Sequence, residues 1–289
     1  MLNTWIGLCD GCAGLPDCFH QMGFAPEWIE GTFSNSQHEM VNPELVISSV
    51  KEECTLLFEW KSGANTEADQ LMRYAAVVSD DLVKGLHIGK KATAKHDIVV
   101  ICRDENSGRI RIGLENKFQF PLLSVDLQGF TLLSNHFSAG NVDAQFKPTL
   151  SIDWDLAPTS YVPLDHASEF WEIAEAVVPV LIKFLQNRQP RVELDDVCRA
   201  VCPQWRITGP PERSQFRGRL NSVIGSACKE YLKDHMHIAG NRVVFHNWNE
   251  ISPKQRRKTL RELRAAHTTF ISYLRTGERP SLQDNLPFE

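Results

Sequence analysis

The sequence predicts an α/β region followed by a smaller, basic module of helices and a hairpin. Three observations lead there. Strand-like and amphipathic helical runs alternate between about residues 43 and 186. Past residue 190 the element order changes to short helices and a hairpin. The charge also reverses: residues 1–190 hold 14 Lys and Arg against 25 Asp and Glu, and residues 191–289 hold 17 against 11. An acidic first part and a basic last part imply different partners, the second better suited to a polyanion.

A chain of 289 residues can bury one large core or two modest ones. Its 42% hydrophobic and 23% charged residues are those of an ordinary soluble protein. No apolar run approaches the roughly 20 residues that a membrane-spanning helix needs. The N-terminus has no basic leader and is interrupted by Asp10 and Asp17, so a cytoplasmic protein without a membrane partner is expected. Eight cysteines are too sparse for a disulfide scaffold.

Residues 1–35 are rich in Gly, Cys and Pro and read as a lead with little periodicity. Cys9, Cys12, Cys18 and His20 form a candidate structural Zn²⁺ site, three thiols and an imidazole being able to complete a tetrahedron. Only one pair has the close CxxC spacing, and small semi-buried thiols account for the same residues. The α/β domain is expected over residues 36–189. Its strands are expected at Pro43–Val50 and Thr55–Lys61, around the turn Lys51-Glu52-Glu53, then at Asp97–Cys102, Arg109–Leu114, Phe130–Leu133 and Leu150–Trp154. A helix is expected over 66–79, and a long amphipathic helix from Asp165, as its N-cap, to Gln186.

The segment Asn187–Pro190 reads as a boundary, with a second domain over 190–289. Helices are expected near 193–202 and 214–233, a hairpin over His235–Phe245 turning at Gly240-Asn241, and a basic helix over 252–275. Helix, helix and hairpin in that order describe a winged-helix-like module. Arg213, Arg217 and Arg219 open its second helix, where a recognition helix meets the major groove. Lys254, Arg256, Arg257 and Lys258, followed by Arg261 and Arg264, are candidate phosphate contacts. A solvated helix face is the commoner fate of such a run, and a protein partner is the other candidate occupant.

The chemistry concentrates in residues 43–74. Residues two apart in a strand share a face, so Glu59 and Lys61 point one way while Phe58 and Trp60 point the other. A hairpin closed at Lys51–Glu53 pairs residues whose numbers sum to about 104, bringing Glu44 level with the Glu59–Lys61 end. Two carboxylates side by side repel; a divalent cation removes that objection, and Mg²⁺ typically takes one or two carboxylates plus a substrate phosphate. Gln70 and Tyr74, four apart, share one face of the following helix, with Leu71, Ala75 and Val78 available to pack on the sheet. Gly63 lets the chain turn off the strand.

Glu59-Trp60-Lys61 followed by Gln70-Leu71-Met72-Arg73-Tyr74 resembles the ExK…QxxxY signature of RecB-type nucleases in the PD-(D/E)xK superfamily, and Pro43-Glu44 stands where that superfamily has Pro-Asp. The resemblance implies a restriction-endonuclease-like core with a central mixed sheet. It implies Mg²⁺ or Mn²⁺ held by Glu44, Glu59 and the Trp60 carbonyl, catalysis by Lys61, and Gln70 and Tyr74 shaping the site and meeting DNA. Glu replaces the commoner Asp at the first position, and His38 is the one nearby counterpart of an upstream His found in many such nucleases. The function expected is metal-dependent hydrolysis of DNA phosphodiesters in defence, restriction, repair or mobile-element processing. A homodimer and a partner ATPase or helicase are the partners such an enzyme would use. The rival expectations are a nuclease fold without catalysis, serving as a DNA-binding or assembly subunit, and a winged-helix regulator with an unrelated sensor domain.

Overall fold

The computed structural model describes residues 1–64, 67–115, 117–157, 164, 165 and 167–277. Contacts divide the chain into two compact units. The first is Met1–Val162 with Ile207–Pro211, and the second is Pro163–Arg206 with Glu212–Glu289. Among the described residues no helix is long and apolar enough to cross a membrane.

In the first unit, helices α1 (Leu2–Asp10) and α2 (Cys18–Gln21) lead into strands β1 (Ala25–Ile29), β2 (Phe33–Ser34), β3 (Met40–Val41), β4 (Leu45–Ser49) and β5 (Cys54–Lys61). Helices α3 (Ala68–Ala75) and α4 (Ser79–Gly85) cross to β6 (Lys95–Arg103), and α5 (Ser107–Glu115) crosses to β7 (Leu122–Val125). Strand β8 (Gly129–Ser134), α6 (Gly140–Gln145) and β9 (Leu150–Ser151) complete it. Seven strands form one mixed sheet in the order β1-β4-β5-β6-β7-β8-β9. The two helical crossovers make β5, β6 and β7 parallel, and the remaining neighbours are antiparallel.

Alternation along the central strands gives the sheet two apolar faces. Leu45, Ile47, Leu56, Phe58, Val99 and Ile101 face one core with Trp5 and Leu8 of α1 and Phe19 of α2. Val46, Leu57, Ile98 and Val100 face the other, with Leu71 and Tyr74 of α3, Leu82 of α4, and Ile110 and Leu114 of α5. Trp5 is fully buried, with ring centroids 5.1, 4.5 and 5.0 Å from those of Phe19, Phe58 and Phe130. Packing on Phe58 fixes the strand that carries Glu59.

Several sequence expectations change here. The supposed lead, residues 1–35, contributes to the core: α1 is too short for periodicity to stand out, yet it buries six successive residues, Thr4–Cys9. Arg109–Leu114 is a helix, not a strand. Its alternating Arg-Ile-Arg-Ile pattern is misleading, because Ile110 and Leu114, one helical turn apart, are buried while Ile112 is 67% exposed. The expected strand Leu150–Trp154 ends at Ser151, and Trp154 lies in a turn. The expected helix 66–79 stops at Ala75, the end of α3, and α4 begins only at Ser79; its first expected residue, Thr66, lies outside the described residues. Leu71, Tyr74 and Val77 are buried, whereas Ala75 is exposed and Val78 is 45% exposed.

The second unit contains α7 (Phe170–Gln186), β10 (Arg191–Glu193), α8 (Leu194–Val201), α9 (Pro210–Glu230), β11 (Met236–Ala239), β12 (Arg242–Phe245) and α10 (Pro253–Thr276). The α9 bounds include Pro210 and Pro211, which cluster with the first unit. The three strands form an antiparallel sheet in the order β10-β12-β11, and the hairpin turns at Gly240-Asn241 as expected. The N-cap of α7 is Glu169 rather than the expected Asp165: Glu169 N–H donates to Glu172 Oε2 at 2.7 Å at its start, while Asp165 instead accepts from Ala167 N–H in a preceding turn. Helix α7 belongs wholly to this unit, so the compact division does not follow the expected boundary at 187–190. The reason is packing: Val177, Leu181 and Leu185 share a core with Val197 of α8, Leu220 of α9 and Phe270 of α10. Helix α10 starts with a reciprocal cap between Ser252 and Gln255 and Pro253 as its first residue, and Gly277 ends it at φ 71°.

Candidate active site

Strands β4 and β5 pair with Leu45 opposite Phe58 and Ser49 opposite Cys54, so residues 50–53 form a four-residue loop. This register sets Glu44 beside Glu59. The Glu44 N–H donates to the Phe58 carbonyl at 3.0 Å, and the Trp60 N–H donates to Glu44 Oε2 at 2.8 Å. On the other side, β1 pairs Ile29 with Leu45, and the Glu30 N–H donates to the Glu44 carbonyl at 2.9 Å. Glu30 therefore stands next to Glu44, a neighbour that no local motif announces.

Glu59 is 5% exposed, and three donors from two elements hold its carboxylate. Lys61 Nζ lies 3.0 Å from Oε1, Gln70 Nε2 donates to Oε1 at 2.9 Å, and the Tyr74 hydroxyl donates to Oε2 at 2.8 Å. Lys61 also donates to Gln70 Oε1. The i, i+2 spacing in β5 and the i, i+4 spacing in α3 bring these four side chains together. Trp60 turns to the opposite face and stacks on Phe58, with centroids 6.3 Å apart.

A buried carboxylate is tolerated only when paired and hydrogen-bonded, and Glu59 has both forms of support. Glu44 has less. Burial, and then the charge of Glu59, push its carboxyl up to about 8, against the pull of the Trp60 amide and Lys61; Glu30 adds a smaller push. Burial and Glu59 also raise the Tyr74 phenol, so it remains a hydrogen-bond donor. Glu44, Glu59, Lys61, Gln70 and Tyr74 thus form one contiguous site at the end of two paired strands.

Other candidate residues lie elsewhere. Cys9 is buried on α1, Cys18 opens α2, and His20 Nδ1 lies 2.9 Å from the Cys9 carbonyl. Burial raises both the Cys9 and Cys18 thiols. Among the described residues no group of three or more His, Cys, Asp or Glu stands ready to hold a metal ion. His38 is in an exposed turn between β2 and β3.

The expected DNA-contacting side chains divide by their partners. Arg217 pairs with Asp195 at 3.2 Å and donates to Asn241; Arg219 donates to the Ser168 carbonyl and lies over the Phe170 ring. Arg256 donates to the Trp248 carbonyl at 3.1 Å, and Lys258 pairs with Glu262 at 3.7 Å. Lys254 and Arg257 are exposed on α10, and Arg213 is half-buried on α9. The β11–β12 hairpin also brings two histidines together. His237 Nδ1 lies 2.8 Å from His246 Nε2, because the hairpin returns one histidine to the other.

No curated protein and no solved structure matches the chain significantly. A family model for the MJECL32 domain matches residues 1–162, which is also the main segment of the first unit. That match spans more than half of the chain, and the protein belongs to the MJECL32 domain family.

Proposed function

We propose that the protein is a metal-dependent nuclease of the PD-(D/E)xK type that hydrolyses DNA phosphodiesters. The observation that carries this reading is the meeting of Glu44, Glu59, Lys61, Gln70 and Tyr74 in one cluster at a sheet end. The mixed sheet supports it too: a β4–β5 hairpin followed by a helical crossover to parallel β6 is compatible with a restriction-endonuclease-like core.

The donor set fits a hard divalent cation such as Mg²⁺ or Mn²⁺. Two neighbouring carboxyls, one of them pushed up to about 8, lack enough positive charge between them, and such a cation removes the deficit. When bound, it supplies Lewis acidity toward a phosphoryl oxygen and makes a water more acidic. Glu44 and Glu59 would hold it, with the Trp60 carbonyl as the further ligand implied by the resemblance. The Trp60 amide fixes one Glu44 oxygen, while Gln70 and Tyr74 fix both oxygens of Glu59. Lys61, held between Glu59 and Gln70, places an ammonium where it can orient the attacking water and offset charge growing on phosphorus.

The order α7-β10-α8-α9-β11-β12, with sheet order β10-β12-β11, supports reading the second unit as a winged helix that binds nucleic acid. A second reading, a nuclease fold serving as a DNA-binding or assembly subunit, is favoured by the bonds that already occupy Lys61. A cleavage assay separates the two. Supercoiled, linear duplex and single-stranded DNA would each be incubated with Mg²⁺, Mn²⁺ or EDTA. Metal-dependent cutting abolished by both Lys61→Ala and Glu59→Ala is expected. Cutting that survives them, or DNA binding without any cutting, would reject the catalytic assignment.

A further inference from the structure

Helix α10 carries a charge pattern that the candidate nuclease site does not use. Lys254, Arg257, Arg261 and Arg264 follow one another at spacings of three, four and three residues, which places them on a single stripe. All four are exposed. Together with Leu260 and Gln186, from the last residue of α7, they line an open groove of about 600 Å³. Among the described residues none of the four has an ion-pair or side-chain hydrogen-bond partner. Two nearby cations differ: Lys258, beside Lys254 on the same side of the helix, is paired with Glu262, and Arg256, on the opposite side, is folded onto Trp248.

This arrangement is unfavourable for the isolated protein. Like charges three and four apart repel along a helix. Lys254 sits in the first turn of α10, where the helix dipole disfavours a cation and where no acidic residue compensates it. A polyanion in the groove relieves both. The stripe spans roughly 15 Å of helix, over which a DNA duplex presents about nine phosphates. The groove lacks the bulky apolar edge of a helix that enters a membrane surface, Leu260 being its one apolar lining residue.

We propose that the α10 groove docks the phosphate backbone of duplex DNA, independently of sequence. The proposal rests on the DNA-directed function above and assigns the principal phosphate contacts to α10 rather than to the start of α9. There, Arg217 and Arg219 are held by Asp195, Asn241, the Ser168 carbonyl and the Phe170 ring.

The test is anisotropy of a labelled, random-sequence duplex titrated with the full chain in EDTA, from about 50 to 200 mM salt, so that cleavage cannot intervene. Each neutralised phosphate contributes about −0.9 to the slope of log affinity against log salt. Arg257→Gln and Arg261→Gln should each make the slope shallower by about one and weaken binding on the order of tenfold near 0.1 M salt. The fourfold variant K254Q/R257Q/R261Q/R264Q should lose most of the salt dependence. It should keep its circular dichroism and melting, because all four side chains are exposed. Arg199→Gln, which removes a charge already paired with Asp196, should leave the slope unchanged. A fourfold variant that binds like the wild type overturns the assignment. So does a wild type that binds only RNA or an acidic polypeptide and not the duplex. Loss of cleavage in Lys61→Ala with duplex binding intact would concern the nuclease site alone, so the two readings fail separately.

Discussion

Glu44→Gln should stabilise the protein at and above neutral pH and leave it unchanged in mild acid. The folded state holds the Glu44 proton up to about pH 8, against an ordinary carboxyl value of 4.5, because burial and then Glu59 disfavour the carboxylate. A raised carboxyl binds its proton more tightly in the fold than in the unfolded chain, so its contribution is most favourable below pH 4.5. Stability then falls as pH rises, and the loss is complete near pH 8. Each pH unit in that window costs about 1.4 kcal/mol, or roughly 3 kcal/mol by pH 7. Glu44 is half-buried, and solvent screening reduces the expected loss to about 2 kcal/mol. Glutamine keeps the size and an oxygen to accept the Trp60 amide, while removing the titration. Urea unfolding of the full chain in EDTA at pH 5, 6, 7 and 8, followed by tryptophan fluorescence, measures the difference. The wild-type and variant midpoints should meet at pH 5 and separate progressively above it, with the variant higher. Mn²⁺ at pH 7 should raise the wild type and narrow the gap, since a cation replaces the proton. Midpoints that run parallel across the range would refute the assignment of a buried, electrostatically frustrated Glu44.

Tyr74→Phe removes one of three donors to a buried carboxylate and should cost about 1.5–3 kcal/mol, with reduced cleavage; an unchanged urea midpoint would show that the hydroxyl does not hold Glu59. Gly129→Ala should lower stability by more than about 2 kcal/mol, because φ is 135° and a Cβ would lie 2.1 Å from the Leu150 carbonyl oxygen. Amide exchange should show the β8–β9 pairing opening, and protection equal to the wild type would contradict this. Trp5→Ala should cost about 3–5 kcal/mol by emptying the space among Phe19, Phe58 and Phe130. A melting temperature within a degree or so of the wild type would mean that α1 does not support β5.

What was legible in the sequence was local. Glu59 and Lys61 share a strand face, and Gln70 and Tyr74 share a helix face, because two or four residues of chain fix those relations. The hairpin placed Glu44 because its four-residue loop leaves little freedom of register. Glu30 was invisible because β1 and β4 are joined by a long excursion through β2 and β3, so their pairing depends on packing rather than on a turn. The same limit explains α1, whose burial depends on aromatic partners as distant as Phe130. In α5, an alternating pattern concealed a helical one that only the core could select. At Arg217 and Arg219 the charge is visible in sequence and its partner is not: Asp195 and the Ser168 carbonyl come from other elements.

The buried cluster itself provides a test of whether it serves the fold or the chemistry. A carboxylate, an ammonium, a phenol and a carboxamide at a sheet end must each be taken out of water, and their mutual bonds recover that cost only in part. Apolar side chains of similar size would fill the same space without it, and such replacements of buried ion pairs are neutral or stabilising by about 1–4 kcal/mol. The combined variant Glu59→Met, Lys61→Met, Gln70→Met and Tyr74→Phe leaves no member of the network to be orphaned. It should therefore unfold at a urea concentration equal to or above that of the wild type, whereas Lys61→Met alone, which strands the 5% exposed Glu59, should be clearly weaker. Loss of cleavage in a combined variant at least as stable as the wild type would mean that the polar cluster is retained for its reaction. A combined variant less stable than Lys61→Met would mean that the four side chains are there to hold β5 against α3, and the catalytic reading would lose its physical basis.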